Sequence, residues 1–185
     1  LAQDLVPSRS LTNGIHAPTW ISPESNSLYA KYLSPDWAER VDDPTIWQRV
    51  TDLPDDALWA VRQTTRRKLM RFIRERARDG WIRGHLQPMQ AIARGTLLDP
   101  EALTIGFARR FATYKRATLL FRDLDRLKQL LHNRWRPVQI VFAGKAHPAD
   151  EPGRYFIHEV LSFCNDHKLG GHVAFLEDYD MHMAK

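Results

Sequence analysis

The spacing of apolar residues changes character once along this chain, near Leu103. Ahead of that point the pattern is helical or irregular. Residues 1–22 carry turn signals at Pro7, Asn13-Gly14 and Pro18. Residues 23–50 read as short helical pieces rich in aromatics (Tyr29, Tyr32, Trp37, Trp47) and broken by Pro35 and Pro44. Over 54–79, Leu58, Val61, Leu69, Phe72 and Ile73 fall on one face, which predicts a long helix. Pro54 suits its first turn, Asp55 and Asp56 complement the dipole, and Gly80 is placed to cap its end. Beyond Leu103, strands are predicted at 103–109, 138–143 and 172–176, with helices at 114–133 and 153–169 between them. Leu119, Leu120, Leu124, Leu127, Leu130 and Leu131 form the apolar stripe of the first helix; Phe156, Ile157, Val160, Leu161 and Cys164 form that of the second. Strand–helix alternation implies βαβ units with right-handed crossovers and a parallel sheet. The expected fold is α/β, with a mainly helical region over 1–100 and a βαβαβ region over 101–185 that is incomplete at its C-terminus.

Composition narrows the class. Of 185 residues, 43% are hydrophobic, which is ordinary for a globular core, and no apolar run is long enough to cross a bilayer. Residues 1–7 lack the charged and apolar regions of a signal peptide. The single cysteine, Cys164, rules out an internal disulfide and fits a reducing compartment, so a cytoplasmic location is expected. Its place on an apolar stripe reads as core rather than nucleophile. Without an initiator methionine, and ending where a helix begins, the chain reads as a fragment. The net charge is +5, with the excess between Arg62 and Arg83 and between Arg109 and Arg126. Arg62, Arg66, Arg67, Arg71, Arg74 and Arg78 on the long helix read as a solvated face, with a nucleic-acid stripe as the other reading.

Candidate chemistry gathers at the strand ends, where ligands bind in open parallel sheets. The first strand ends in Arg109 and Arg110, and a helix is expected to open at Tyr114 with Lys115 and Arg116 in its first turn. Cations at a helix N-terminus oppose the macrodipole, which makes sense if an anion sits between strand and helix. A solvated basic turn accounts for the same residues. Gly144-Lys145-Ala146-His147 and Glu177-Asp178-Tyr179 follow the other two strands, and Gly144 permits close approach of a ligand or a neighbouring backbone. There is no Gly-x-Gly-x-x-Gly or P-loop pattern, so a phosphate here depends on side chains, Arg110 as a planar fork and Lys115 as a point charge. No metal site is expected: the eight histidines include no His-x-x-x-His pair, and His147 and His158 read as structural or solvent-facing. Glu177 and Asp178 are neighbours on a strand and so a poor acid–base pair.

Four blocks then carry a resemblance: Thr12-Asn-Gly-Ile-His-Ala-Pro-Thr-Trp20, Gly106-Phe-Ala-Arg-Arg-Phe-Ala-Thr-Tyr-Lys-Arg-Ala117, Val141-Phe-Ala-Gly-Lys-Ala-His-Pro148 and Phe175-Leu-Glu-Asp-Tyr-Asp-Met-His-Met-Ala184. In wording, order and spacing they resemble the α-glucan (glycogen/maltodextrin) phosphorylase family, nearest its divergent bacterial branch. The resemblance runs from about Leu11 onward. It implies two Rossmann-like domains facing a cleft (the GT-B arrangement), pyridoxal 5′-phosphate as cofactor, and reversible phosphorolysis of α-1,4-glucan by inorganic phosphate to glucose 1-phosphate. This chain is similar to the first part of the second domain. On that basis Arg110 and Lys115 are catalytic; Asn13, Tyr114 and Arg110 contact substrate; Lys115 and Tyr179 contact the cofactor. The resemblance also implies that the Schiff-base lysine lies beyond Lys185, that another domain precedes Leu1, and that the fragment alone is inactive. A homo-oligomer is compatible with it. A glycogen-synthase-type nucleotide-sugar glycosyltransferase, with an Arg…Lys pair on the donor diphosphate, is the alternative. A basic nucleic-acid-binding module is the distant third, lacking any recognisable signature; neither nucleic acid nor membrane is expected as a partner.

Overall fold

A computed structural model describes residues 11–166, 169 and 171–184. The sequence expectations for residues 1–10 and for Lys185 lie outside the described residues. The chain divides into two compact units after Leu53, so the long helix belongs to the unit that holds the sheet, whereas the sequence division falls at 100/101.

The first unit consists of short helices, α1 (Ala17–Trp20), α2 (Pro23–Tyr32) and α3 (Pro44–Gln48), with single tight turns between and after the last two. Each of the three opens on proline just inside its first turn, where the missing N–H costs nothing. Ser22 caps α2 through the Ser25 amide at 3.1 Å, and Asp43 caps α3 through the Thr45 amide at 2.9 Å. The Thr45 hydroxyl, the Arg40 guanidinium and the Thr45 amide together hold the Asp43 carboxyl down to about 2. Tyr29, Trp37 and Trp47 meet edge to face, with centroids 5.3 to 6.2 Å apart, around a core of Leu28, Leu33 and Ile46. The indole of buried Trp37 donates to Asn26 Oδ1 at 3.1 Å. The aromatic stretch is thus core packing.

The second unit opens with α4 (Asp55–Ile82) and α5 (Pro88–Ala93), then alternates β1 (Leu103–Ala108), α6 (Leu124–Leu131), β2 (Val138–Ala143), α7 (Glu151–Asn165), β3 (Val173–Leu176) and α8 (Met181–Ala184). The strands form one parallel sheet in the order β1-β2-β3, with Ala108 beside Ala143 and Ala143 beside Leu176. α4 runs three residues past the expected end. Gly80 lies inside it, because any Cβ there would meet Leu86 Cδ1 at 2.7 Å. The stop is Gly84 (φ 72°): the Gly84 amide bonds to Trp81 O and the His85 amide to Gly80 O, a Schellman closure. The buried face of α4 is Met70, Ile73 and Ala77, while Leu58 and Leu69, expected on it, are exposed.

Two cores cover the two faces of the sheet. On one, Leu127 and Leu131 of α6 and Val160 and Cys164 of α7 pack on Ile140, Phe142, Val173 and Phe175; burial pushes the Cys164 thiol up to about 12, so it is an inert core group. On the other, Met70, Ile73 and Leu98 pack on Val141, Ala143, Ala174 and Leu176. Each buried Val, Leu, Ile, Phe or Met among them contributes roughly 1.5–3 kcal/mol. Gln139, 2% exposed, ties the two edges of this layer: its amide donates to Asp99 O and Thr104 Oγ1, each at 2.8 Å, and accepts from the Asp99 amide at 2.8 Å.

Between β1 and β2 the expected helix over 114–133 is mostly absent. Thr113–Lys115 and Leu119–Arg122 are tight turns, Arg116 is left-handed (φ 54°), and the helix proper waits for Asp123, whose carboxylate caps the Arg126 amide at 3.0 Å. The buried residues over 114–133 are Ala117, Phe121, Leu127 and Leu131, and the step of six between Phe121 and Leu127 takes the second pair off the helical face of the first. Leu119, Leu120 and Leu130 are exposed for the same reason.

Candidate functional site

The ladder between β1 and β2 continues past the last strand residue. The Arg109 amide donates to Ala143 O at 3.0 Å and the Phe111 amide to Lys145 O at 2.9 Å. Alternation therefore persists to residue 111. Phe107 and Phe111 face the α6–α7 core, where Phe111 is fully buried against Phe107 and Phe175. Arg109 shares their parity; Arg110 falls on the opposite face with Ala108, the side covered by α4. Gly144 makes the crossing possible, since a Cβ there would lie 2.0 Å from Arg109 O and 2.9 Å from the Phe111 ring. Its role is close approach of the neighbouring backbone.

Tyr114 and Lys115 follow in the tight turn rather than in a helix, so the macrodipole argument does not apply to them; the nearest helix start is eight residues beyond Arg116. The Tyr114 ring is 71% exposed and the Lys115 ammonium lies 4.6 Å above it. Among the described residues, neither the Arg110 guanidinium nor the Lys115 ammonium has a hydrogen-bond or ion-pair partner. Two such cations at the carboxyl end of a parallel strand offer an anion charge and N–H donors from side chains alone.

Arg110's face carries a feature the sequence reading missed. A groove of about 460 Å³ runs along it, floored by the small residues Gly106, Ala108 and Ala143 and walled by Trp59, Arg62 and Leu69 of α4. Tyr179 and Met183 line the same groove. The groove is invisible to periodicity because its lining comes from segments far apart in sequence, from Trp59 to Met183. Tyr179 is placed there by the turn after β3, in which Asp178 adopts φ 58°. Glu177 does not point at the site as an acid: its carboxylate takes Arg94 at 2.6 Å. Asn13 lies exposed in irregular backbone before α1, in the other unit. His147 accepts from the Ala149 amide at 3.1 Å and His158 is an exposed residue of α7. Among the described residues there is no group of three or more side chains that could hold a metal, and no helix is long and apolar enough to cross a membrane.

Comparison with known proteins supplies a context for this arrangement. No family model matches the chain. It is 42% identical over 174 residues to a glycogen phosphorylase of Aquifex aeolicus, covering 94% of this chain and 25% of the relative. A glycogen phosphorylase of Mycobacterium tuberculosis is 41% identical over 182 residues, and a maltodextrin phosphorylase of Thermococcus litoralis 37% over 183; each covers 98% of this chain and 21% of the relative. The chain thus spans between a fifth and a quarter of the length of the curated relatives it matches. Along nearly all of its own length, then, the chain is similar to one portion of the glycogen and maltodextrin phosphorylases.

Proposed function

We propose that this chain supplies the phosphate-handling strand ends of an α-glucan phosphorylase, which transfers a glucosyl unit from an α-1,4-glucan to inorganic phosphate. The observation that carries the reading is the unpartnered pair Arg110 and Lys115 at the end of β1, in a chain whose relatives are glycogen and maltodextrin phosphorylases. In the reaction the bond from glucosyl C1 to the chain oxygen breaks, a bond from C1 to a phosphate oxygen forms, and the phosphate proton leaves with the shortened glucan. Arg110 and Lys115 hold the phosphate beneath the bond and offset its charge as it approaches, which converts an encounter between repelling groups into an oriented one. Tyr114 and Asn13 contact the sugar.

Lys115 and Tyr179 fit the phosphate of pyridoxal 5′-phosphate: one is a cation with no anionic partner among the described residues, the other a phenol at an apolar groove. When bound, that cofactor supplies a second phosphate able to exchange a proton with the first. Lys115 then screens two anions that otherwise repel. The enzyme acts in the cytoplasm, on soluble glucan, with neither nucleic acid nor membrane as partner, and a homo-oligomer is compatible with the fold.

Two assays test this reading. The complete polypeptide carrying this chain is expected to release glucose 1-phosphate from maltodextrin and phosphate, whereas the 185-residue chain alone releases none and forms no specific imine with pyridoxal phosphate. Turnover by the 185-residue chain, or transfer of glucosyl from a nucleotide sugar to glucan with release of the nucleoside diphosphate by the complete one, overturns it.

A further inference from the structure

The strand-end site carries a built-in contradiction. Glu177, Asp178 and Asp180 put three carboxylates within four residues at the end of β3. The register sets Arg109, Gly144 and Glu177 at one level across the sheet, two strand spacings, or about 10 Å, from first to last. That is close to a Debye length at physiological salt, so an unpaired carboxylate there is felt by an anion near Arg110.

The Glu177 and Asp178 carboxylates are answered by arginines outside the groove. Arg94, following α5, meets Glu177 Oε2 at 2.6 Å. Arg76 of α4 donates to the Glu177 carbonyl at 3.3 Å and lies 3.7 Å from Asp178 Oδ2. Asp180 takes the Met183 amide at 2.9 Å, which holds its carboxyl below the usual range, with further lowering from the His182 and Lys145 charges. Between these anchors Asp178 is held in the left-handed region, and the turn delivers Tyr179 into the groove beside Ala108 and Ala143. The two arginines come from α4 and the α5 end, and neither of them lines the groove.

We propose that Arg76 and Arg94 are positioning residues of the anion site, neutralising the Glu177–Asp178 turn and fixing it so that Tyr179 stands at the mouth of the groove. Their effect on phosphate passes through the turn. The proposal rests on the phosphate-site reading above, and its test separates the two.

In the complete polypeptide, inorganic phosphate affinity is measured by 31P NMR titration alongside phosphorolysis, for Arg94→Gln, Arg94→Lys and the double variant Arg94→Gln/Glu177→Gln. At low ionic strength, where the Debye length is about 30 Å, freeing one carboxylate about 10 Å from a dianion weakens phosphate binding by about threefold in Arg94→Gln. Arg94→Lys keeps the charge and stays within about twofold of the parent, and removing Glu177 in the double variant restores affinity to the same range. A 3-fluorotyrosine label at position 179 shifts its 19F resonance in Arg76→Gln and Arg94→Gln. Unchanged phosphate affinity in Arg94→Gln, or failure of the double variant to restore it, overturns the electrostatic role even if thermal stability falls. An unmoved 19F signal overturns the positioning role. If the parent binds phosphate and shows this pattern without phosphorolysis, the proposed activity falls and the inference stands; if the parent binds no phosphate, both fall.

Discussion

At the scale of single residues, side-chain parity decides which of two adjacent arginines matters. Arg110 shares the Ala108 face with the groove and Tyr179, whereas Arg109 shares the parity of Phe107 and Phe111. In the complete polypeptide, Arg110→Ala is expected to slow phosphorolysis by about a hundredfold, roughly 3 kcal/mol of lost oriented charge, and Arg109→Ala by much less. Steady-state kinetics on the two variants checks this; equal losses contradict the assignment. Gln139 shows the same dependence on place. Replacing it with leucine removes the side-chain partner of the Asp99 amide and carbonyl, at a cost of about 0.5–1.5 kcal/mol per hydrogen bond lost, read as a lower midpoint in urea with an unchanged slope.

Elements behave as their partners allow. Among the described residues β1 is paired on one side only; the Leu103 amide donates to Pro137 O just ahead of β2 and the Arg109 amide to Ala143 O at its end, which sets the parity for the ladder. The amides of Thr104, Gly106 and Ala108 therefore point to the open edge. Native-state hydrogen exchange on this chain should show those three exchanging faster than Ile105 and Phe107, by at least about tenfold; the reverse order contradicts the register. Leu103 and Ile105, 56% and 41% exposed, keep β1 less covered than β2, whose residues from Gln139 onward are buried. α6 illustrates the opposite limit, a helix begun by Asp123 only after two tight turns have seated Ala117 and Phe121.

For the whole molecule, the sheet-bearing unit carries a proton-linked weakness at its end away from the cations. Burial, and secondarily the His132 ring 5.1 Å away, hold the His172 imidazole below its ordinary 6.5. The folded state keeps His172 neutral while the unfolded chain takes up a proton, so this contribution is present above pH 6.5 and is lost as pH falls through the folded value. Thermal midpoints recorded from about pH 7.5 to about pH 5 should fall less steeply for His172→Gln than for the parent. Parallel slopes contradict the linkage.

How much was legible in the sequence follows from what each feature depends on. The three strands, the parallel α/β order and the aromatic core of the first unit rest on local periodicity, and they stand where the pattern put them. The Arg-Arg-Phe-Ala-Thr-Tyr-Lys-Arg block carried the family on wording alone, and the relatives bear it out. The helix expected at Tyr114 failed because leucines counted on a wheel do not say which of them the sheet will accept; Phe111, Ala117 and Phe121 were accepted, and the chain bent to seat them. Gly80 looked like a helix stop but serves Leu86, while Gly84, four residues on, supplies the left-handed turn. Sequence by itself determined the elements, their order and the charges at the strand ends. Only tertiary structure decided that Arg110 and Tyr179 share a face, that α4 walls a groove, and that Arg76 and Arg94 answer the carboxylates of β3, because each depends on contacts between residues far apart along the chain.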